Sequence, residues 1–172
     1  KKFGYKPNLF MKPCEDGSSI DIFKISNDED YKKAKLNCLN LEREFIFEES
    51  IEGREFTVTI IGNKCYPVIE IKTQNDFYDY DAKYISDDTI LDQAKLSDNE
   101  LNIINDIALR TFHALKCSGW ARVDIIQDIN GNFNVIEINT VPGMTSHSCV
   151  PKSASFMGLS YQDVIKEILS NV

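Results

Sequence analysis

Residues 120–139 read WARVDIIQDINGNFNVIEIN, in which two alternating apolar and polar runs flank an Asn-Gly pair. Alternation of this kind is typical of half-buried β-strands, and Asn-Gly is a strong signal for a two-residue hairpin turn. The sequence therefore predicts an antiparallel hairpin with strands at residues 120–127 and 133–138 and its turn at Asn130-Gly131.

The turn also predicts which side chains face each other, because a two-residue turn sets the register of both arms. Counted from this turn, Asp124 lies opposite Glu137 and Arg122 lies opposite Asn139, with all four side chains on one face. Like charges directly opposite each other destabilise a sheet unless something cationic lies between them. Because carboxylate and amide oxygens are ligands that magnesium accepts, the hairpin predicts a metal site.

A structural interpretation competes with the metal site. On a solvated strand face, Arg122 alone would neutralise Asp124 and Glu137. The segment that follows, residues 139–148 (NTVPGMTSHS), is small, polar and rich in turn residues. A loop of this kind at a strand end beside a metal suits substrate binding, which favours the metal site.

The amino-acid composition and net charge of the chain disfavour several classes of function. The chain has 172 residues, of which 42% are hydrophobic, enough for a core without disulfides. Its net charge of -8 disfavours nucleic acid and anionic membranes as partners. No apolar run approaches the roughly 20 residues of a membrane span, and no signal-peptide core follows the first residues. We expect a cytoplasmic protein with reduced cysteines, and the missing initiator Met predicts a fragment of a longer chain.

The remaining segments predict a mixed α+β architecture with antiparallel sheets. Ser97 and Glu100 form a capping box ahead of a helical apolar stripe that ends at Leu115. Residues 73–97 lack a clear period, and we expect a functional lid there. Strands are predicted at residues 8–12, 45–47, 56–61 and 65–71, and helices at 27–39, 97–115, 151–158 and 161–169.

One pattern in the chain resembles a known family. R-x-D at residues 122–124, followed by E-x-N-T-x-P-G-M-T-S-H-S at residues 137–148, resembles the D-alanine–D-alanine ligase branch of the ATP-grasp ligases. Residues 77–84 (FYDYDAKY) resemble that family's substrate-covering loop, and Lys12-Pro13 followed by residues 17–19 resembles its phosphate-side strand and loop. The family's amino-terminal domain and the start of its central domain have no counterpart in this chain.

The resemblance implies an ATP-grasp fold of the α+β class, with antiparallel sheets, flanking helices and a nucleotide bound between two lobes. Residues 1–47 would be the remainder of the central domain. Residues 48–172 would be the carboxy-terminal domain, with the substrate-covering loop at about 73–97. The implied ligands are ATP, D-alanine and two Mg²⁺ ions that Mn²⁺ can replace, and relatives imply a homodimer.

By the same resemblance, Asp124, Glu137 and Asn139 would hold the two Mg²⁺ ions, with Glu137 bridging them. Arg122 and the backbone amide of Gly143 would stabilise the reacting carboxylate or acyl-phosphate. A structural salt bridge is the alternative for Arg122.

The nucleotide would be bound by residues from several segments. Lys12 and Lys83 would contact phosphate, Glu48 and Glu55 the adenine and ribose sides, and Ile51 the adenine through its backbone. Without the resemblance, Lys12 would be read as a strand-end surface charge and the two acids as part of an acidic surface.

The amino-acid substrates would be bound by two pairs of residues. Ser18 and Tyr84 would orient the first D-alanine, and Tyr84 favours an amine as the second substrate. Ser148 and the backbone of Cys149 would bind the carboxylate of that second substrate, although relatives usually carry an aliphatic residue in place of Cys149.

The resemblance therefore implies ATP-dependent ligation of two D-alanines through an acyl-phosphate, for peptidoglycan precursor synthesis. Two alternatives remain. The chain belongs to another ATP-grasp amino-acid ligase, or it is a nucleotide-binding fragment that is inactive on its own.

Overall fold

The computed structural model describes residues 8–15, 20–38, 42–72 and 89–172. The chain divides into two compact units, and the boundary between them along the described chain falls between Ile51 and Glu52. The boundary that the sequence predicts between residues 47 and 48 concerns family domains and stays a prediction.

The first unit is a three-stranded antiparallel sheet with one helix in its described residues. Its core contains Met11, Ile25 and Ala34. The Asn27 side chain accepts hydrogen bonds from the backbone N–H groups of Glu29 and Asp30, at 2.8 and 3.0 Å, and so caps the helix. The elements are β1 (Leu9–Pro13), β2 (Phe23–Ile25), α1 (Asp28–Cys38) and β3 (Phe45–Glu49), in the sheet order β2-β1-β3.

The second unit contains a larger antiparallel sheet, in the order β7-β6-β4-β8-β9 with β5 also paired to β4. Residues at alternate positions of a strand point to opposite faces, so this sheet has two chemically different sides. Its strands are β4 (Gly53–Ile61), β5 (Lys64–Cys65), β6 (Ile69–Lys72), β7 (Ile90–Gln93), β8 (Trp120–Asp128) and β9 (Phe133–Asn139).

One face of this sheet is apolar and is covered by helix α2 (Asp98–Ala114). The helix begins with the predicted capping box, since the Ser97 and Glu100 side chains each accept from the other residue's backbone N–H. Burial of this interface supplies the main hydrophobic stabilisation of the unit. Its buried residues are Phe56, Val58, Ile60, Val68, Ile104, Ala108, Phe112, Ala121, Val123 and Ile125.

The opposite face is covered at one end by helices α3 (Cys149–Ser155) and α4 (Tyr161–Leu169). Ile61 of β4 is paired with Trp120 of β8, and both contact the apolar cluster that includes Val150 and Val164. The rest of this face carries polar side chains. The sheet therefore presents a hydrophobic side to α2 and a polar side beyond α3 and α4.

The structure corrects three predictions about elements. The run at residues 65–71 is not one strand, because residues 66–68, which include Pro67 with no N–H to donate, interrupt β5 and β6. Strand β7 lies within the segment predicted to lack regular structure, where it pairs with β6. Leu115 follows the last turn of α2 and is 60% exposed, so it lies outside the buried stripe.

Gly53 begins β4 and is paired with Asp128 of β8. A Cβ at this position would lie 1.8 Å from the carbonyl oxygen of Gln127 on the neighbouring strand, so only glycine allows the two strands to approach this closely.

The five cysteines are free thiols, as predicted. Burial raises the pKa of Cys65 to about 11, so its thiol stays protonated at neutral pH. Among the described residues, no helix combines the length and the apolar character that crossing a membrane requires.

Candidate functional site

The polar face of the second sheet brings together side chains from three adjacent strands, β4, β8 and the edge strand β9. Asp124 of β8 lies opposite Glu137 of β9 on one side and opposite Thr57 of β4 on the other. Arg122 precedes Asp124 by two residues on β8, so its side chain lies on the same face, and it is paired with Asn139. The predicted pairing of these four hairpin residues is confirmed.

The turn that produces the Asp124–Glu137 pairing differs from the predicted one. The structure pairs Gln127 with Phe133, and the Asp128 backbone N–H donates to the Asn132 carbonyl at 2.9 Å. The loop therefore consists of three residues, 129–131, and the predicted two-residue turn is wrong. Gly131 has φ +86°, as expected when a type I turn is followed by a residue in the left-handed region. Loop residue Ile129 precedes the Asn-Gly pair and shifts the register by one.

A β-bulge restores the register before the site. Ile125 pairs with Val135, but Asp124 pairs with Glu137, so Ile136 is an extra residue on β9. Without this bulge, Ile136 would lie opposite Asp124, and Glu137 would point to the other face. The bulge therefore places both carboxylates on one side of the sheet, a known use of bulges beside functional sites.

The Asp124 carboxylate is 5% exposed and heavily hydrogen-bonded. Arg122 donates from Nε to Oδ1 at 2.9 Å and from Nη2 to Oδ2 at 2.7 Å, a bidentate ion pair. The Thr57 hydroxyl donates to Oδ1 at 2.6 Å, and the Asn139 amide donates to Oδ2 at 3.2 Å. These contacts offset the cost of burying a negative charge.

Asn139 connects the two acids. Its Nδ2 atom lies 3.2 Å from Asp124 Oδ2 and 3.2 Å from Glu137 Oε1. A single atom thus contacts both carboxylates, so the three predicted metal ligands form one cluster on one face. Two carboxylates and an amide, which can present its oxygen after rotation, form a donor set that fits a hard divalent cation.

The candidate ligand set contains only two acidic side chains. Over residues 8–15, 20–38, 42–72 and 89–172, no group of three or more His, Cys, Asp or Glu side chains is arranged to hold a metal ion. The third ligand that the sequence predicts for this site is the amide of Asn139.

The loop that follows β9 folds back on itself. The Ser148 hydroxyl accepts a hydrogen bond from the Thr145 backbone N–H at 3.0 Å and lies 2.9 Å from the Thr145 hydroxyl. Gly143 lies so close that a Cβ on it would be 2.9 Å from Ser148 Oγ. Two of the predicted anion-binding residues, Gly143 and Ser148, are therefore neighbours, and Cys149 begins α3 directly after them.

The predicted nucleotide residues of the first unit include an ion pair. Lys12 Nζ lies 2.6 Å from Glu48 Oε2. The two residues lie on adjacent strands β1 and β3, and Ile51 follows at the end of the unit. The sequence analysis assigned Lys12 and Glu48 separate roles and did not predict that they contact each other.

Glu55 belongs to the second unit. It precedes Thr57 on the same face of β4 and pairs with Ile71 and Ile126. It therefore shares the polar face with Asp124.

A family model described as D-ala D-ala ligase C-terminus matches residues 1–170. The chain belongs to this family.

Individual ligases are similar to this chain in sequence and in structure. The chain is 39% identical over 162 residues to the D-alanine--D-alanine ligase of Mannheimia succiniciproducens, covering 94% of this chain and 53% of the relative. A crystal structure of the D-alanine--D-alanine ligase of Bacillus anthracis complexed with ATP has a TM-score of 0.80 and 29% identity, covering 97% of this chain and 52% of that one. The VanG D-Ala:D-Ser ligase of Enterococcus faecalis has a TM-score of 0.82 and 30% identity, covering 97% of this chain and 50% of that one.

These matches confirm the predicted ATP-grasp fold of the α+β class. The chain spans about half the length of the curated ligase-family relatives it matches. Three residues predicted from the family pattern, Ser18, Lys83 and Tyr84, lie outside the described residues, as does the predicted substrate-covering loop at residues 77–84.

The sequence analysis missed Thr57, whose hydroxyl contacts the predicted metal ligand Asp124. A signal was present, because Thr57 and Thr59 are hydroxyl residues at alternate positions of an otherwise apolar strand. Buried hydroxyls need hydrogen-bond partners, so this alternation indicates a polar face on β4.

Proposed function

We propose that this chain is part of an ATP-dependent ligase that joins two D-alanines through an acyl-phosphate, for peptidoglycan precursor synthesis. The observation that carries the proposal is the cluster of Arg122, Asp124, Glu137 and Asn139 on one sheet face, within a chain whose relatives are named D-alanine--D-alanine ligase. We also propose that the complete protein is cytoplasmic and forms a homodimer.

In this proposal, Asp124, Glu137 and Asn139 hold two Mg²⁺ ions, which Mn²⁺ can replace. The ions supply charge neutralisation to the phosphates of ATP. Asn139 would contribute its amide oxygen, which a rotation of the side-chain amide can present in place of the nitrogen. Glu137 contacts the same amide as Asp124 does, which supports placing both carboxylates in one ligand set.

A carboxylate oxygen of the first D-alanine attacks the γ-phosphorus of ATP, the bond from that phosphorus to the β-phosphate oxygen breaks, and ADP leaves. Arg122 binds the reacting carboxylate and the acyl-phosphate formed from it. Its planar guanidinium already forms a bidentate pair with one carboxylate, Asp124, which supports its use on another. The backbone amide of Gly143 adds a second donor toward the developing negative charge.

The second D-alanine is held by its carboxylate at Ser148 and at the backbone of Cys149. Its amine then attacks the acyl carbon, the C–N bond forms as the C–O bond to phosphate breaks, and the amine's proton is released to solvent. Binding both reactants side by side supplies the proximity that a ligation needs.

Lys12, Glu48, Ile51 and Glu55 contact the nucleotide. Lys12 is a mobile point charge suited to phosphate, and its ion pair with Glu48 opens when the nucleotide binds. Ser18 and Tyr84 on the first D-alanine, and Lys83 on phosphate, complete the proposed set.

Replacing Glu137 with Gln tests the function. In the complete protein, Glu137→Gln keeps the size of the side chain but removes its charge, so Mg²⁺-dependent phosphate release from ATP in the presence of D-alanine falls to background. Circular dichroism confirms that the variant is folded. Wild-type turnover by a folded Glu137→Gln protein would overturn the metal role.

A related ligase activity is the second candidate, because the similarity to the D-Ala:D-Ser ligase structure is as high as that to the D-alanine--D-alanine ligase structure. Phosphate release measured with a panel of D- and L-amino acids separates the two activities. Highest turnover with D-alanine alone supports our proposal, and highest turnover with D-alanine plus D-serine supports the alternative.

The other alternative is a nucleotide-binding fragment that is inactive on its own. Calorimetry with Mg²⁺ and ATP on this chain alone, beside a turnover assay, tests whether it binds nucleotide without turnover.

A further inference from the structure

We infer that Thr57 is a positioning residue that holds the Asp124 carboxylate in place for a divalent cation. This inference rests on the proposed metal role of Asp124. Thr57 is 1% exposed, lies on the neighbouring central strand and is paired directly with Asp124. Its hydroxyl donates to Asp124 Oδ1 at 2.6 Å, a distance typical of a charge-assisted bond.

The hydrogen-bond donors around Asp124 fill its carboxylate completely. A carboxylate has about four lone-pair positions. Oδ1 accepts from Thr57 and Arg122, and Oδ2 accepts from Arg122 and Asn139. All four positions are therefore filled, so a cation can bind Asp124 only if at least one donor leaves.

Two of these donors are able to leave. The Arg122 guanidinium is carried on a long, rotatable side chain, and the Asn139 amide can turn its oxygen toward a cation. Thr57 differs from both, because its side chain is β-branched, has a stiff χ1 and is buried in the central strand β4. Thr57 thus keeps Oδ1 and the plane of the carboxylate fixed while the other donors are exchanged for a metal.

Thr59 provides a matched comparison on the same strand. It lies two residues further along the same face, is also 1% exposed and is paired with Arg122. Its hydroxyl has no hydrogen-bond partner within the described part of the chain. The two threonines share residue type, strand, face and burial, and differ in whether the hydroxyl contacts the candidate metal ligand.

The test compares Thr57→Val, Thr57→Ser and Thr59→Val in the complete protein. The probe is Mn²⁺, titrated alone and with ADP, and free Mn²⁺ is measured by electron paramagnetic resonance. Outer-shell partners of metal ligands typically contribute about 10- to 100-fold to metal affinity, so Thr57→Val should weaken Mn²⁺ binding by that factor. Thr57→Ser keeps the hydroxyl and should bind Mn²⁺ as the wild type does, and so should Thr59→Val.

Thr57→Ala guards against a folding artefact, because it also removes the hydroxyl and does not introduce the second methyl of valine. It should show the same loss of Mn²⁺ affinity at a temperature where circular dichroism reports a folded protein. In turnover assays, the KM for Mg²⁺ should rise more than kcat falls. A purely structural role would lower activity without this split between KM and kcat.

The outcomes separate this inference from the proposed function. Wild-type protein that binds no Mn²⁺, or Glu137→Gln protein that binds it as the wild type does, would overturn the proposed metal site and the inference with it. Wild-type Mn²⁺ affinity in folded Thr57→Val, together with lost affinity in Glu137→Gln, would overturn the positioning role alone.

Discussion

Asp124 carries a negative charge in a buried position, and the polar groups around it explain how the fold tolerates this. Its two oxygens accept hydrogen bonds from Thr57, Arg122 and Asn139. A buried carboxylate that loses a charged partner is strongly destabilising, whereas a partner cation of another kind can compensate. The stability of the protein should therefore depend on which cation neutralises Asp124.

Replacing Arg122 with Met tests this dependence. The change keeps a long apolar stem but removes the ion pair, and we expect the free energy of unfolding to fall by about 3 kcal/mol in the absence of metal, because the Asp124 carboxylate stays buried without its charged partner. Added Mg²⁺ should recover more stability in Arg122→Met than in the wild type. Urea unfolding with and without Mg²⁺ measures both effects, and equal Mg²⁺ responses in the two proteins would contradict the expectation.

The contact between Gly143 and Ser148 gives a second prediction for single residues. An added methyl at Gly143 would lie 2.9 Å from Ser148 Oγ but 3.8 Å from its Cβ. Gly143→Ala should therefore destabilise the protein, by less than about 1 kcal/mol, because the Ser148 hydroxyl can rotate away from the new methyl only by losing its contacts with Thr145. In a double-mutant cycle monitored by thermal unfolding, Ser148→Ala should relieve most of this cost, and additive effects would show that the two groups do not meet.

At the scale of elements, the sequence predicted what depends on local chemistry and missed what depends on tertiary pairing. The capping box and the apolar stripe of α2 are local, so its start at Ser97 was predictable. The bulge at Ile136 and the short strand β7 depend on partners that local patterns do not reveal. The Asp124–Glu137 pairing was predicted correctly because the extra loop residue Ile129 shifts the register by one and the bulge residue Ile136 shifts it back.

The cap of α2 predicts an effect on stability at neutral pH. Ser97→Ala removes an N-cap oxygen and should lower the free energy of unfolding by about 1 kcal/mol. Ser97→Asp restores a capping oxygen and should recover most of this loss. Chemical unfolding at pH 7 measures the difference, and an unchanged stability in Ser97→Ala would contradict the role of the cap.

The same capping box predicts an effect of acid. Hydrogen bonds from the Ser97 backbone, and then from the Ser97 and Gln127 side chains, lower the pKa of Glu100 from 4.5 to about 2. A carboxyl with a lowered pKa stabilises the fold above its unfolded pKa and loses that contribution as pH falls. Stability should therefore decline between pH 4.5 and about 2, and Glu100→Gln should make this decline shallower in unfolding measured across that range. An equally steep decline in the variant would contradict the role of Glu100.

At the scale of the whole molecule, the family relationship was predictable because its motif is contiguous in sequence. The residues from Arg122 to Ser148 specify the site chemistry within one hairpin and one loop. The contact between Lys12 and Glu48 was not predictable in the same way, because it depends on the register of β1 against β3. Thr57 lies on a strand far from the motif in sequence and becomes part of the site only through the pairing of β4 with β8.

Ligand binding gives a prediction at this scale. A ligand that binds only the folded protein stabilises it, by about 2.7 kcal/mol at 100 times its Kd. Mg²⁺ with ATP should therefore raise the midpoint of thermal unfolding of the complete protein, and ATP with EDTA should raise it less. Glu137→Gln should remove the difference between these two conditions. Equal stabilisation with and without EDTA in the wild type would contradict metal-dependent nucleotide binding.

The tip of the β8–β9 hairpin is isolated from the site by two features. Asp128 closes the loop with hydrogen bonds from the backbone of Asn130 and Asn132, both at 2.8 Å, and the bulge at Ile136 sets the pairing next to Asp124. Ile129 in the loop is 87% exposed. Exposed loop tips of this kind tolerate inserted sequence. Residues 129–131 are therefore a suitable splice point for an epitope or fluorescent label, because an insertion there leaves Arg122, Asp124, Glu137 and Asn139 in place.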